Sequence, residues 1–254
     1  MSKRPLVKRW KDKLLKKERF KPYTTSFRGH SLHVHDYASF KLGKGELFKE
    51  EVYRFKARRP DPYIIDCGSN IGMSIIYFKS IYPDARIVGF EADPHIYSFL
   101  EKNVASFGLQ NVEVVNKAVW DKNDEVLSFL AEGGAGGRVE EKSSTHKFVE
   151  VKTARLKDYL TEPVDFLKID IEGAEYNVIR DCADSLHHVE HLFIEYHSME
   201  DRPQNLHEIL RIVQKAGFRY HIKEAYTQPY PFMESKLNFG MDLQLNVFCI
   251  RKKQ

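Results

Sequence analysis

Two carboxylates lie near the ends of neighbouring apolar runs, at a spacing typical of a nucleoside-binding site. Asp66 lies in the run Tyr63–Cys67 and precedes a glycine-rich turn, and Glu91 directly follows the next run, Arg86–Phe90. A carboxylate at the position of Glu91 can accept hydrogen bonds from the hydroxyls of a ribose. Each acid alone could be a strand-end residue satisfied by backbone N–H groups, but their order and spacing together favour a ligand site.

The turn after Asp66 reads DCGSNIG over residues 66–72 and runs directly into a helical pattern. Gly68 and Gly72 lack the β-carbon that would block a close approach of the backbone to a ligand. Dinucleotide sites prefer a second glycine where this chain has Asn70, because a pyrophosphate must approach the helix end there. An adenosyl ligand without phosphates tolerates the larger residue. The turn therefore favours a methyl donor over a nicotinamide dinucleotide.

A second group of ionisable residues lies at the ends of two later apolar runs. Asp170 and Glu172 follow one run, and Glu195 and His197 share a face at the end of the other. His197 is the best candidate for a general base, because its pKa range suits proton removal near neutral pH. With Asp170 and Glu172 it forms the candidate catalytic set. A lone histidine is more often structural, and Glu175 could be an acid that the helix dipole favours.

A divalent metal is the alternative use of these side chains. Asp170 with Glu195 or His197 would offer oxygen and imidazole ligands to Mg²⁺, which would lower the pKa of an acceptor hydroxyl. We do not expect a metal, although the sequence leaves one open. The other clustered histidines are His33, His35, His187, His188 and His191. They lack nearby cysteines or acids at ligand spacing, so we expect them at the surface.

Short apolar runs alternate with helical patterns from Tyr63 onward, which predicts an α/β fold with a mostly parallel sheet. The predicted strands are Tyr63–Cys67, Arg86–Phe90, Val112–Asn116, Val164–Asp170 and Leu192–Tyr196. The predicted helices are Ile71–Ile81, Ile96–Phe107, Ala174–Cys182 and Asn205–Ala216. No helical pattern separates Phe218–Ile222 from Leu243–Ile250, so these two runs predict an antiparallel hairpin at the sheet edge.

Four motifs together resemble the FkbM family of methyltransferases. The motifs are DCGSNIG (66–72), FEADP (90–94), AVWD (118–121) and LKIDIEGAE (167–175). The resemblance implies a Rossmann-like class I methyltransferase fold, in which a mostly parallel seven-stranded sheet has an antiparallel C-terminal strand and helices on both faces. It also implies S-adenosylmethionine as the cofactor and a small-molecule acceptor, often a hydroxyl in antibiotic or sugar biosynthesis.

The family pattern implies a role for each residue of the cofactor site. Gly68, Asn70 and Gly72 would line the methionine end, Asp66 would order the turn, and Glu91 would hold the ribose hydroxyls. Other residues implied at the site, including those that would flank the adenine, are Ser69, Ala92, Asn116, Lys117, Ala118 and Asp170.

The first 60 residues differ from the rest, so we expect a basic, helical or irregular cap at 1–60 and an S-adenosylmethionine-binding domain at 61–254. Residues 1–21 hold ten Lys and Arg against two acids. Their apolar residues recur at near-helical spacing, which favours an amphipathic helix packed on the protein over an arm that binds nucleic acid or an anionic membrane. A further helix is predicted at Gly45–Phe55.

Three regions outside the motifs are candidates for contacts with the acceptor, and the first is the aromatic-rich stretch of residues 1–60. Val126–Leu130 and Lys147–Val151 predict strands that flank the glycine-rich run 133–137, which is either a hairpin loop or a flap over the ligand. The segment Tyr226–Phe239 holds four aromatic residues that could stack on an acceptor or pack the cap.

Composition narrows the function classes. The 254 residues are 42% hydrophobic and 30% charged, with no apolar run long enough to span a membrane and no secretory signal. Three scattered cysteines favour a reducing, cytoplasmic compartment. Residues 170–173 read DIEG where methyltransferases of adenine or glutamine amines carry an Asn/Asp-Pro-Pro-aromatic run, so we do not expect a nucleic-acid acceptor. A non-catalytic module that binds polyanions or membranes is the alternative, and homo-oligomerisation is left open.

Overall fold

The structure is a computed structural model that describes residues 19–130, 138–139, 148–228, 230–233, 237–238 and 240–251. The strands are β1 (Tyr23–Phe27), β2 (His30–Val34), β3 (Tyr63–Cys67), β4 (Arg86–Phe90), β5 (Val112–Val115), β6 (Ala118–Trp120), β7 (Val126–Leu130), β8 (Arg138–Val139), β9 (Phe148–Arg155), β10 (Val164–Ile169), β11 (Val189–Met199), β12 (Phe218–Tyr226) and β13 (Met241–Arg251). The helices are α1 (Tyr37–Phe48), α2 (Met73–Ile81), α3 (Pro94–Ser106), α4 (Glu175–Asp181) and α5 (Leu206–Lys215), with 3-10 helices at Leu156–Tyr159 and Leu186–His188.

Within the described residues, the main sheet has seven strands in the order β12-β13-β11-β10-β3-β4-β5. The pairs from β11 through β5 are parallel, and β13 runs antiparallel to both of its neighbours. The predicted α/β class and the antiparallel C-terminal strand are therefore confirmed. Strands β12 and β13 form the antiparallel hairpin expected from Phe218–Ile222 and Leu243–Ile250, and each is longer than its apolar run.

Alternate residues of the central strands enter two apolar layers on opposite faces of the sheet, as a buried parallel sheet requires. Ile64 of β3 packs with α2 and α3, whereas Ile65 packs with α4 and α5. The hairpin β1–β2 and helix α1 add aromatic side chains to the first layer, where Phe27 and Phe48 make an edge-to-face contact. Helices therefore cover both faces of the sheet.

A smaller sheet pairs its strands in the order β6-β9-β7-β8. The predicted strands Val126–Leu130 and Lys147–Val151 correspond to β7 and β9, which pair antiparallel. The glycine-rich run 133–137 lies outside the described residues. So does most of the basic arm, residues 1–18.

The helix predicted at Gly45–Phe55 is wrong. Helix α1 instead covers Tyr37–Phe48, because the Asp36 side chain accepts a hydrogen bond from the backbone N–H of Ser39 (3.0 Å) and caps the helix start. The chain leaves the helix at Lys49 and soon reaches Glu51, whose φ of 51° is incompatible with a continuing helix.

Hairpin β1–β2 lies in a region that showed no strand pattern. Its turn has positive φ at both Arg28 (52°) and Gly29 (86°), the conformation that matches the twist of two-residue hairpins. The expectation that the clustered histidines lie at the surface is wrong for His35. This residue follows β2 and is 2% exposed, and burial lowers its pKa to about 4.

Asn103 of α3 joins the hairpin to the glycine-rich turn. Its amide donates to the carbonyl oxygens of His33 (2.9 Å) and Ile71 (2.8 Å), and its side-chain oxygen accepts from the N–H of His33 (2.7 Å). The side chain is fully buried. Since water cannot replace these bonds, Asn103 fixes the N-terminal hairpin against the start of α2.

We predict that Asn103→Ala lowers the free energy of unfolding by about 3 kcal/mol, because it removes three hydrogen bonds to backbone groups, one of them buried and two part-buried. Urea unfolding of the variant beside Glu101→Ala, a change at an exposed position of the same helix, measures the effect. Equal stability of the two variants would show that this junction is not important for folding.

Candidate active site

A cavity of about 470 Å³ lies at the carboxyl ends of β3, β4, β10 and β11, where open α/β sheets bind their ligands. The predicted site residues on its wall are Gly68, Ser69, Asn70, Glu91, Ala92, Lys117, Ala118, Asp170 and Glu172. The other four, Asp66, Gly72, Asn116 and His197, do not line it. The cavity thus brings both halves of the sequence-predicted site together.

The glycine-rich turn is packed against the neighbouring strand. A β-carbon on Gly68 would lie 1.9 Å from the carbonyl oxygen of Asp170, and the φ of Gly68 is 86°. The N–H groups of Gly68 and Ser69 both donate to the carbonyl oxygen of Phe90 (3.0 and 2.8 Å). Only glycine satisfies the contact and the dihedral together. The turn is therefore held by the strands on either side of it.

A buried ammonium connects this turn to the end of β10. Lys168, with 3% of its side chain exposed, lies 3.2 Å from carboxylate oxygens of both Asp66 and Asp170 and donates to the carbonyl oxygen of Gly68 (2.8 Å). Burial opposes its charge, but Asp170 and Asp66 outweigh burial and raise the pKa of Lys168 well above its usual value. Asp66 also accepts a hydrogen bond from the hydroxyl of Ser74. Asp66 thus orders the turn from behind the cavity.

Glu91 presents its carboxylate at the end of β4. One oxygen accepts from the N–H of Asn70 (2.8 Å) and the other from the N–H of Asp93 (2.9 Å). Burial raises the pKa of Glu91 to about 7, against the opposing effect of these two bonds. Two backbone bonds fix the carboxylate in one orientation, and each oxygen keeps further acceptor capacity for a ligand.

The wall beyond Glu91 is formed by the segment after β5. Lys117 and Ala118 line the cavity, and the Lys117 ammonium is bound to Asp124 (2.8 Å). The amide of Asn116 donates to the carbonyl oxygens of Glu91 (2.8 Å) and Ala92 (3.1 Å). Asn116 therefore supports this wall from outside and does not border the cavity.

His197 is enclosed by carboxylates at the end of β11. Its Nδ1 lies 2.8 Å from Glu175, and its Nε2 lies 3.5 Å from Glu172 and 3.9 Å from Asp170. None of the side chain is exposed. Burial would lower the pKa of His197, but Glu172 and Glu175 reverse the effect and raise it well above its usual value. His197 does not reach the cavity that it was predicted to serve.

The carboxylates around this imidazole lie where burial disfavours their charged form. Burial raises the pKa values of Glu172 and Glu195 to about 8 each. Glu195 accepts a hydrogen bond from the amide of Gln244, which also lies 3.3 Å from Nε2 of His197. Groups that gain or lose a proton near neutral pH are suited to proton transfer.

Sequence reasoning missed several residues of the wall. Gln244 of β13 is paired in register with His197, and its position in the final apolar run was a usable signal. Glu46 of α1 and Tyr53 also line the cavity; they lie in the N-terminal region that was expected to contact the acceptor, but the sequence did not single them out. Tyr226, a predicted acceptor contact, lines the cavity as well, whereas Tyr230 of the same segment is 70% exposed.

Three side chains at the ends of β10 and β11 are spaced closely enough to hold a metal ion. Ligand atoms of Asp170, Glu172 and His197 lie within 4.8 Å of one another. However, Lys168 already neutralises Asp170, and the amide of Gln244 lies against Nε2 of His197. We therefore assign no metal ligand here.

No helix in the described part of the chain is both long and apolar enough to cross a membrane.

Known proteins share both the sequence pattern and the fold. The chain is similar to Methyltransferase 1 of Beauveria bassiana (29% identity over 164 residues, 55% of this chain) and to the 2-O-methyltransferase NoeI of Sinorhizobium fredii (26% over 163 residues, 56% of this chain). Each match covers 66% of the relative, just under two thirds of its length.

The crystal structure of a methyltransferase FkbM from Methylobacillus flagellatus superposes with a TM-score of 0.52 at 15% identity, over 81% of this chain and 47% of that one. This likeness shows the class I methyltransferase fold. The family model of the methyltransferase FkbM domain matches residues 66–220, more than half of the chain. The chain therefore belongs to the FkbM family of methyltransferases.

Proposed function

We propose that this methyltransferase takes its methyl group from S-adenosylmethionine bound in the cavity and transfers it to a hydroxyl oxygen of a small molecule. The main support is that one cavity joins the glycine turn and Glu91 to the ionisable group around Glu172. A donor held at the first end would direct its methyl group toward the second. Such a cavity needs only to align the two reactants and remove one proton.

The cofactor half of the proposal depends on Glu91 and the turn. Glu91 would accept hydrogen bonds from the ribose hydroxyls, and the backbone near Gly68 and Asn70 would contact the methionine end. Ala92, Lys117 and Ala118 would flank the adenine. The sulfonium and ammonium of the donor are cationic, and the acids of the wall would favour them electrostatically.

The choice of oxygen as the acceptor has two supports. The relative from Sinorhizobium fredii is named a 2-O-methyltransferase. In addition, residues 170–173 lack the proline-rich run that would stack on a planar amide or base. The acceptor would lie beside the donor, in contact with Glu46, Tyr53 and Tyr226 of the cavity wall. The scheme uses no metal ion, because Lys168 pairs with Asp170 and Gln244 lies against Nε2 of His197, which leaves only Glu172 of the three metal-spaced side chains without such a contact.

We predict that Glu91→Gln weakens the binding of S-adenosylhomocysteine at least about tenfold, because a hydrogen bond to a charged group contributes about 1.5–3 kcal/mol. Isothermal titration calorimetry measures the change, with Glu113→Gln, an exposed position on the neighbouring strand, as the matched control. Equal affinities of the two variants would contradict the role of Glu91.

The affinity for S-adenosylhomocysteine is expected to fall as the pH is lowered through about 7, the pKa to which burial raises Glu91. The ribose hydroxyls favour the charged carboxylate, so binding must remove the proton that the free protein holds below this pH. One proton gives up to about tenfold per pH unit. In Glu91→Gln, the affinity for S-adenosylhomocysteine should no longer change with pH near 7. If the variant keeps the same pH dependence, the titrating group is not Glu91.

A panel of sugars and polyphenols incubated with labelled S-adenosylmethionine tests the acceptor class. We expect at least one hydroxyl compound to gain the label, and we expect the same yield with EDTA because the scheme uses no metal. Label that enters only amines would contradict transfer to oxygen. Loss of activity in EDTA that Mg²⁺ restores would contradict the metal-free scheme.

A further inference from the structure

Glu172 has an unusual backbone conformation at the edge of the cavity. Its φ is 55°, in the left-handed region that non-glycine residues rarely adopt, and Gly173 follows with a φ of 96°. A left-handed non-glycine residue costs about 1 kcal/mol or more and persists where the surrounding structure enforces it, often at functional sites. The turn after β10 directs the Glu172 side chain onto the cavity wall.

The carboxylates of the wall differ in how fully they are engaged. Asp170 is paired with Lys168 (3.2 Å), Glu195 accepts from Gln244, and Glu91 accepts from two backbone N–H groups. Within the described part of the chain, Glu172 has a single charged partner within 4 Å, the Nε2 of His197 at 3.5 Å. Glu172 therefore keeps the greatest capacity to accept a proton from a molecule in the cavity.

His197 is placed to hold Glu172 and not to replace it. Its ring is fully enclosed and lies behind the wall. Glu175 binds Nδ1 (2.8 Å) and also accepts from the N–H of Gly173 (3.0 Å), so one carboxylate fixes both the imidazole and the strained turn. The order from the interior to the cavity is Glu175, His197 and Glu172. A substrate hydroxyl can reach only the last of these.

We propose that Glu172 is the catalytic base of the methyl transfer, with His197 and Glu175 as positioning residues. This inference rests on the proposed function. The acceptor's O–H bond breaks and its proton goes to the Glu172 carboxylate, the oxygen forms a bond to the methyl carbon, and the bond from that carbon to sulfur breaks. The sulfonium becomes the neutral thioether of S-adenosylhomocysteine. His197, the base predicted from the sequence, therefore contacts Glu172 and does not contact the acceptor.

Sinefungin tests this placement without knowledge of the acceptor. It is an analogue of S-adenosylmethionine that carries a primary ammonium where the donor carries its sulfonium methyl. A carboxylate that faces the transferred methyl attracts this ammonium but gains nothing from neutral S-adenosylhomocysteine. The ratio of the two dissociation constants therefore measures the negative charge at the methyl position, and the shared adenosyl part cancels.

At a pH above about 8, where the Glu172 carboxylate is charged, we expect the unaltered protein to prefer sinefungin over S-adenosylhomocysteine. The ratio of the two dissociation constants should change about tenfold toward S-adenosylhomocysteine in Glu172→Gln, with the affinity for S-adenosylhomocysteine unchanged. Retained affinity for S-adenosylhomocysteine also shows that the variant is folded. Glu195→Gln, a wall carboxylate already bound to Gln244, is the matched control and should keep the preference. An unchanged ratio in Glu172→Gln, or a larger loss in Glu195→Gln, overturns the proposal. Failure of both ligands to bind the unaltered protein refutes the proposed function itself.

The positioning role of His197 is tested by the pH dependence of the same ratio. The charged groups that face Glu172 are Asp170, Glu175, Glu195 and His197. Of these only the imidazole favours the charged carboxylate, so His197→Gln should move the midpoint of the profile to higher pH. In Glu172→Gln, the ratio of the two dissociation constants should lose this pH dependence. A midpoint that does not move in His197→Gln would reduce His197 to a packing residue and overturn its assigned role.

Discussion

The site depends on one buried ammonium shared between two strands. Lys168 lies between Asp66 of β3 and the Asp170 that follows β10, and it also binds the carbonyl oxygen of Gly68. Without it, two carboxylates would face each other in a low-dielectric interior, and removing one partner of a buried ion pair typically costs about 3–5 kcal/mol. The conformation of the glycine turn and the ion pairs of both acids therefore depend on the same residue.

The same contacts fix the position of the glycine turn relative to the end of β10. Gly68 approaches the backbone of Asp170 so closely that a β-carbon could not be accommodated, and the contact brings the cofactor turn next to the catalytic end of β10. Glu91 is fixed from the other side through the N–H of Asn70. Glu172 and Glu195, which Lys168 does not pair with, line the same cavity. The site thus joins a turn fixed by backbone contacts to carboxylates at the ends of β10 and β11.

The sequence predicted the central sheet well because its strands are buried on both faces and read as continuous apolar runs. Strands β3 and β4 match the predicted bounds, and the glycine turn and Glu91 followed from their order. The prediction of a helix at Gly45–Phe55 failed because the cap at Asp36 sets the start of the helix and the positive φ of Glu51 excludes its continuation. The enclosure of His197 could not be predicted, since it depends on Gln244, 47 residues away, and on the strained turn at Glu172.

The central claim is that the cavity at the glycine turn holds the methyl donor, with its ribose on Glu91 and its sulfur directed toward Glu172. A crystal structure of the chain with S-adenosylhomocysteine tests it most directly. The account predicts ribose hydroxyls within hydrogen-bond distance of the Glu91 carboxylate, the adenine beside Ala118, and the sulfur on the side of the cavity that Glu172 lines. Density for the ligand at another site, or in this cavity with the ribose away from Glu91, would contradict it.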